Sequence, residues 1–363
     1  MKNIVTFGEI MIRFDALNNN RFCQAIPGIL QTTFAGAEAN VAVSISRLGG
    51  KSRFVSAIPK NPISNCCVSV LQSFGVDVNH IVFTNEGRFG AYYVETGANQ
   101  RPSNVLYDRE GSAIARANPI LYDWDSAFTN SQWFHVTGIM PALSESATES
   151  TLQAVKHAKK LGLTVSCDLN FRKKLWRWEP GTPPEELAGR TMRKILPFVD
   201  LLIANEEDAE TVLGLKVEGT NVEQGIIDPN GYLKVARLIG EQFENIKLVA
   251  TTLRESISAT HNNWGATICN LVTGESYLAP LKGGVYHPYK IHSIVDRVGG
   301  GDSFAAALIY ALSQKDLCEL QTAITFATAA SCLAHSIRGD FNLTTREEVE
   351  ALAAGSTSGR VIR

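Results

Sequence analysis

"VDRVGGGDSFAAALIYAL", residues 295–312, sets three glycines and an aspartate directly before a run of apolar, helix-forming residues. Glycines at a helix start let backbone N–H groups converge on an anion, and the helix dipole adds about half a positive charge there. The loop lacks the Lys-Ser/Thr that follows the glycines of a P-loop, and Phe304 stands where the dinucleotide fingerprint has its last glycine. Gly299, Gly300 and Gly301 therefore read as an anion hole of another design, with Asp302 in the first helical turn. There the dipole is expected to favour the ionised carboxylate and lower its basicity, leaving Asp302 charged at pH 7. A carboxylate so placed suits phosphoryl transfer, in which the acceptor hydroxyl loses its proton late and N–H groups stabilise the transferring charge. A tight turn with an acidic helix cap explains this stretch alone equally well.

Outward from this stretch, apolar β-branched runs predict buried strands at "NIVTFGEI" from Asn3, "RFVSAI" from Arg53, "LTVSCDLN" from Leu163, "VDLLIANE" from Val199 and "IKLVATT" from Ile246. Helical patterns follow most of them. One is expected to open with Ser146 and Glu149 at capping-box spacing and to close on Lys159, Lys160 and Gly162. Strand, helix, strand repetition implies right-handed crossovers and an α/β class, a three-layer sandwich with a mainly parallel central sheet. Residues 13–33 and 88–115 break this rhythm and read as antiparallel strands of a small separate β-sheet, a lid or an ordinary surface hairpin. The whole chain, 1–363, reads as a single domain with that addition.

The 363 residues are 45% hydrophobic and carry 34 basic against 36 acidic side chains. This balance gives no phosphate-tracking surface, so no nucleic-acid partner is expected. No apolar run approaches a membrane span and none opens the chain as a signal peptide, so a soluble cytoplasmic protein is expected. Seven cysteines without a CxxC pair suit a reduced protein.

Two signatures carry a family resemblance. "DRVGGGD", Asp296 to Asp302, resembles the D-T-x-G-A-G-D signature of the ribokinase-like (PfkB) carbohydrate kinases, with Arg297 for the threonine and Gly300 for the alanine. "FAGAEANVAVSISRLGG", from Phe34, resembles that family's N-terminal glycine-rich turn. The resemblance spans essentially the whole chain. It implies an ATP-dependent sugar kinase with a β lid over the sugar, Asp302 as catalytic base and Gly299 to Gly301 as anion hole. ATP and Mg2+ are the expected cofactors, and the resemblance allows a monovalent cation; lids of this family often pair edge to edge, which implies a homodimer.

Within the family, "GAEAN" (Gly36 to Asn40), "YDREGSA" (Tyr107 to Ala113), "FHVTGIMPALS" (Phe134 to Ser144) and "CDLNFRKKLW" (Cys167 to Trp176) are similar to the branch that phosphorylates 2-keto-3-deoxygluconate. The resemblance implies that Gly36, Tyr92, Tyr107, Arg109, Ile139 and Arg172 line a sugar-acid site, with Asn40 beside them. Arginine suits a carboxylate because its fork matches the geometry and keeps its charge. Against this, Tyr92 and Tyr107 read equally as cross-strand partners, Arg109 as a solvated charge, and Gly36 with Asn40 as a turn and cap. The family's N-x-x-E motif appears as "NEED", which implies phosphate or magnesium work for Asn205 and Asp208, or Glu207, through water, with Asn170 bridging to phosphate. No metal held directly by side chains is expected. After the strand at Ile246 the chain reads "TTLRESISATHNNWGA" where many relatives have a glycine-containing nucleotide loop, leaving Arg254 as a candidate contact. The leading expectation is 6-phosphorylation of 2-keto-3-deoxygluconate. A kinase for fructose, ribose or a nucleoside, or a non-catalytic sugar-binding protein, stays open.

Overall fold

A computed structural model describes residues 2–215 and 229–356. Thirteen of its strands, in chain order, are β1 (Asn3–Phe7), β2 (Met11–Asp15), β3 (Gln31–Ala35), β4 (Ser52–Pro59), β5 (Ile81–Thr84), β6 (Gly90–Glu95), β7 (Asn104–Asp108), β8 (Ser131–Thr137), β9 (Thr164–Asp168), β10 (Leu201–Ala204), β11 (Leu248–Ser258), β12 (His261–Asn270) and β13 (Ser276–Ala279). The main sheet runs in the order β13-β12-β11-β10-β9-β8-β1-β4-β5. Every pairing from β5 to β11 is parallel, and β12 and β13 close that side antiparallel. All five expected central strands are present, and β8, between β1 and β9, is a further central one.

Each buried strand feeds two cores because its side chains alternate between faces. Val5, Phe134, Val165, Leu202 and Val249 pack on one face with helices Glu145–Lys160 and Pro184–Ile195. Ile4, Trp133, Leu201, Ile203 and Ala250 pack on the other with helices Ala37–Arg47, Gly300–Leu312 and Leu320–Ala334. The result is the expected three-layer α/β sandwich. Helix Glu145–Lys160 begins two residues earlier than the capping-box spacing predicts. Ser144 is its cap, accepting from Ala147 N at 3.0 Å, whereas Ser146 turns away to donate to the Ala117 carbonyl. No helix among the described residues is long and apolar enough to cross a membrane, and all seven cysteines are free.

The small separate sheet has the order β3-β2-β6-β7. Its two hairpins are antiparallel as expected, but β2 and β6 join them in parallel, pairing Arg13 with Tyr92. The two segments leave the main sheet in the same direction, from β1 and from the turn after β5, so their first strands meet side by side. Only parts of 13–33 and 88–115 are strand; a short helix, Phe22–Ala25, and another, Ala113–Arg116, occupy the rest.

Helix Gly300–Leu312 lies between helices and sheet with most of its residues buried. Phe304, fully buried, anchors it at the position where a dinucleotide fold has glycine. Phe304→Ala is expected to cost about 3–5 kcal/mol of stability through the cavity it leaves, read from the urea midpoint at unchanged m-value.

Candidate active site

In an open parallel sheet, ligands bind beyond the C-terminal strand ends where the strand order reverses. Here the chain moves from β1 outward to β4 and β5, then returns to β1's other side as β8. Beyond that edge lies a cavity of about 660 Å³, walled by residues leaving β1, β8, β9 and β10, by the small sheet and by the glycine turn. Gly36, Asn40, Ile139, Asn170, Arg172 and Asn205 reach it from the strand-to-helix turns. Tyr92, Tyr107 and Arg109 reach it from the small sheet, Arg254 from β11, and Asp208, Gly299, Gly300, Gly301 and Asp302 from helix starts. All the residues singled out in the sequence therefore share one cavity wall.

The glycine turn is built for close approach. Gly299, the helix N-cap, has φ 84°, and a Cβ there would sit 2.4 Å from the Asp340 carbonyl oxygen. Gly301 differs: its φ lies outside the left-handed region and its Cβ would meet no protein atom within 4 Å. Neither backbone strain nor a clash at Cβ calls for glycine at 301, and its lack of a side chain leaves the space over the turn open. The N–H groups of Gly300, Gly301 and Asp302 meet no protein acceptor among the described residues, as the first amides of a helix do.

Asn40 Nδ2 donates to Asp302 Oδ2 at 2.6 Å, while Asn40 Oδ1 accepts from Gly36 N at 3.2 Å. Asn40 thus holds Asp302 while it lines the cavity beside it. Gly36 lies against β1's exit, where a Cβ would fall 2.0 Å from the Glu9 carbonyl oxygen. Asp302 is half-buried at the cavity floor. Burial pushes its pKa up to about 6, against the lowering by Asn40's hydrogen bond, with Asp340 raising and Arg172 lowering it further. The expected lowering by the helix dipole is overturned: removing water from the carboxylate outweighs the dipole. The group is still mostly ionised at pH 7.

Other placements refine the expectations. Arg109 is buried and forks onto Glu9 through Nε, at 2.7 Å, and Nη2, so its charge is paired within the protein. This replaces the solvated charge, and Arg109 still lines the cavity. Its guanidinium also lies 5.5 Å over the Tyr107 ring, which in turn packs 5.7 Å from Tyr92. Tyr92 donates its hydroxyl to Asp340 Oδ1 at 2.6 Å. Arg172, by contrast, is exposed and has no carboxylate partner among the described residues, its Nη1 donating only to the Phe171 carbonyl. Asn205 caps its helix by accepting from Asp208 N at 2.8 Å. Asp208 Oδ1 accepts from Phe171 N, and the side chain of Glu207 lies outside the described residues. Asn170 adopts φ 37° and keeps a buried Oδ1 with no protein partner. Ile139 opens the short helix after β8, and Arg254 stands on the long strand β11 rather than in a glycine loop.

Sequence reading missed several acids of this cavity, among them Glu9, Asp168 and Glu38. Glu9 follows β1 and Asp168 ends β9, both at the sheet edge where an acid after an apolar strand is itself a signal. Glu38 is buried in the first turn of helix Ala37–Arg47, where its Oε1 accepts from Thr137 N and Oγ1 at 3.1 and 2.6 Å. Burial pushes Glu38 up to about 7, and burial with the Asp208 and Asp302 charges holds Asp168 well above the carboxylate range.

A glycine anion turn, an aimed carboxylate and a concave site at the sheet's switch point define a phosphoryl-transfer architecture on an α/β sandwich. The chain belongs to the pfkB family of carbohydrate kinases, whose family model matches residues 1–345. It is 31% identical over 356 residues to 2-dehydro-3-deoxygalactonokinase of Haloferax volcanii, covering 98% of each chain. It is 27% identical over 350 residues to 2-dehydro-3-deoxygluconokinase of Bacillus subtilis, covering 95% of this chain and 93% of the relative. The crystal structure of 2-dehydro-3-deoxygluconokinase from Thermotoga maritima superposes with a TM-score of 0.88 at 41% identity, covering 98% of this chain and 100% of that one.

Two outcomes test the site. If Asp302 must be ionised to accept a proton, kcat/KM falls as pH drops through about 6, not through the usual carboxylate range near 4; a pH profile from 4.5 to 8.5 reads this limb, and a flat profile down to 5 excludes Asp302 as base. Gly301→Ala, whose Cβ meets open space beyond its own helix turn, should leave the melting temperature within about 2 °C, and Gly301→Val should lower kcat by roughly 100-fold through its effect on the anion. Full activity in Gly301→Val would leave the turn without an anion to bind.

Proposed function

We propose that this chain phosphorylates 2-keto-3-deoxygluconate, or its galactonate-derived epimer, at the terminal hydroxyl, with ATP as donor and the 6-phosphate and ADP as products. The observation that carries this reading is Arg172, a guanidinium with no ion-pair partner among the described residues, on the wall of the cavity that holds Asp302 against the glycine turn. A neutral sugar offers nothing to that charge, whereas the carboxylate of an aldonic acid does. The relatives named for keto sugar acids support the same reading.

In this mechanism Asp302 Oδ1, left free by Asn40, faces the acceptor hydroxyl and takes its proton. The hydroxyl oxygen bonds to the γ-phosphorus as the bond to ADP breaks. N–H groups of Gly300, Gly301 and Asp302 receive the charge on the transferring phosphoryl. Arg254, which lines the same cavity, is the residue proposed to meet the donor phosphates. Carboxylates of Asp168 and Asp208 share the cavity and repel one another, an arrangement that a divalent cation relieves. Among the described residues no set of three or more His, Cys, Asp or Glu side chains forms a metal cage. The donor set therefore fits Mg2+ carried on the triphosphate and met through water by Asp208, Asn170 and Asn205. Bound there, the ion neutralises phosphate charge.

The small sheet, which contributes Tyr92, Tyr107 and Arg109, acts as a lid that excludes water on closing. Its exposed strand β7, with Leu106 and Tyr107 uncovered, suits edge pairing with a second copy. Seven free thiols suit the reducing cytoplasm.

A charge-assisted bond is worth about 1.5–3 kcal/mol, so Arg172→Met should lower kcat/KM for 2-keto-3-deoxygluconate by roughly 10- to 150-fold. The loss for fructose, which has no carboxylate, should be small, making the ratio the quantity to measure. A coupled assay of both proteins against keto sugar acids, hexoses and nucleosides provides it. A preference of the unaltered protein for fructose would favour a neutral-sugar kinase, and no ATP turnover with any acceptor would leave a binding protein.

A further inference from the structure

We propose that Arg13 is the fixed cation of this active site: its guanidinium locks the glycine turn to the small sheet, and phosphoryl transfer consequently needs no free monovalent cation. The inference rests on the kinase reading above and concerns a positioning residue, since Arg13 lies behind the cavity wall.

Arg13, on β2, is 1% exposed and meets three aspartates. Its Nη1 donates to Asp340 Oδ1 at 2.7 Å, and its Nη2 donates to Asp296 Oδ2 at 2.5 Å and to Asp15 Oδ2 at 3.0 Å. All three acids are buried, and Arg338 approaches only Asp15, at 3.4 Å. Burial works against the Arg13 charge, but Asp296 and Asp340 outweigh it and keep the guanidinium protonated.

Both acids on the turn's side carry structure as well as charge. Asp296 opens the glycine turn: its Oδ1 accepts from Arg297 N and Val298 N at 2.8 and 3.1 Å, and its Oδ2 accepts from Arg13 and from Gly339 N at 3.1 Å. With four donors on two oxygens, Asp296 has no lone pair left for a metal ion. Asp340 places its carbonyl beneath Gly299 and shares Oδ1 with the Tyr92 hydroxyl. One planar fork thus joins β2 and β6 of the small sheet to both sides of the anion turn. A spherical ion supplies one charge but no such fixed directions. The residues present do not fit the monovalent cation that the family resemblance allows, because an arginine already occupies the acids beside the turn.

The consequence falls on rate. Amides of the turn must be aimed where charge develops, and a displacement of about 1 Å can cost 100-fold. Turnover of 2-keto-3-deoxygluconate with ATP should be equal, within about twofold, in potassium, sodium and N-methylglucamine chloride at one ionic strength. Stimulation by potassium of about tenfold or more overturns the inference. Turnover that depends on salt sinks this inference alone; no turnover in any salt sinks the kinase reading and this inference with it.

Arg13→Ala should lower kcat by roughly 100-fold with sugar KM little changed, and added guanidinium chloride at low millimolar concentration should restore at least about tenfold of that loss. Arg13→Lys keeps one charge without the fork and carries the test if the alanine variant does not fold; it should melt as a folded protein yet show reduced kcat. Normal kcat in either variant, a loss confined to KM, or no response of folded Arg13→Ala to guanidinium overturns the proposal.

Discussion

Helix Gly300–Leu312 is buried on nearly every side, and the site follows from that burial. Its apolar residues, from Phe304 to Ala311, are covered by the sheet and by helices Ala37–Arg47 and Leu320–Ala334. A helix so enclosed cannot shift to satisfy its first N–H groups, and these are costly to leave without a partner. Ser331 Oγ fixes the Gly300 carbonyl at 2.6 Å, and the Asp340 carbonyl fills the space beneath Gly299. The free amides therefore have one direction open to them, into the cavity. Packing energy in the core is converted in this way into electrostatic direction at the surface.

That rigidity also explains why Asp302 departs from the behaviour its sequence position suggests. A carboxylate in a solvated first turn is stabilised by the dipole. Here the same helix start is enclosed, and the loss of hydration is the larger effect, opposed chiefly by Asn40. The outcome, near 6, suits a general base better than an ordinary carboxylate, because basicity rises while the group remains ionised at neutral pH. Glu38, more deeply enclosed, is pushed further still, and its hydrogen bonds to Thr137 tie helix Ala37–Arg47 to the end of β8. Two carboxylates of one cavity thus differ because one is held by a single amide and the other is tied by two hydrogen bonds to Thr137.

Most of the architecture was legible because apolar strands and capped helices are local patterns. The central strands at Asn3, Arg53, Leu163, Val199 and Ile246 needed only their β-branched runs and flanking turns, and Thr345 with Glu348 caps the last helix as the spacing suggests. β8 was less plain, since "SQWFHVT" mixes polar and aromatic residues, among them a His135–Ser166 pair buried inside the sheet. The glycine turn and Asp302 were legible because glycine is locally informative. Partnerships across the chain were not. Nothing near Arg13 announces Asp296 or Asp340, 283 and 327 residues away. Nothing near Arg109 announces Glu9, 100 residues away. The parallel pairing of β2 with β6 belongs to the same class, because it depends on where two segments leave the main sheet.

The long-range pairs set apart two kinds of positive charge at and behind the cavity wall. Arg13 and Arg109 are buried and neutralised, each by acids from another part of the chain, so they hold the small sheet's strands in place but offer little net attraction to an anion. Arg172 has no ion-pair partner among the described residues and is exposed, so it is a charge available to a ligand. Such a division is needed because Glu9, Glu38, Asp168, Asp208 and Asp302 make the cavity rich in carboxylates. Ionised acids there repel an anionic ligand, and the pairing of Glu9 with Arg109 offsets one such charge at the small-sheet side. The remaining acids line the same cavity as the glycine turn. On the proposed kinase reading, Arg172 attracts the acidic acceptor and a cation carried on the donor phosphates offsets these acids, so the two anions do not depend on one charge.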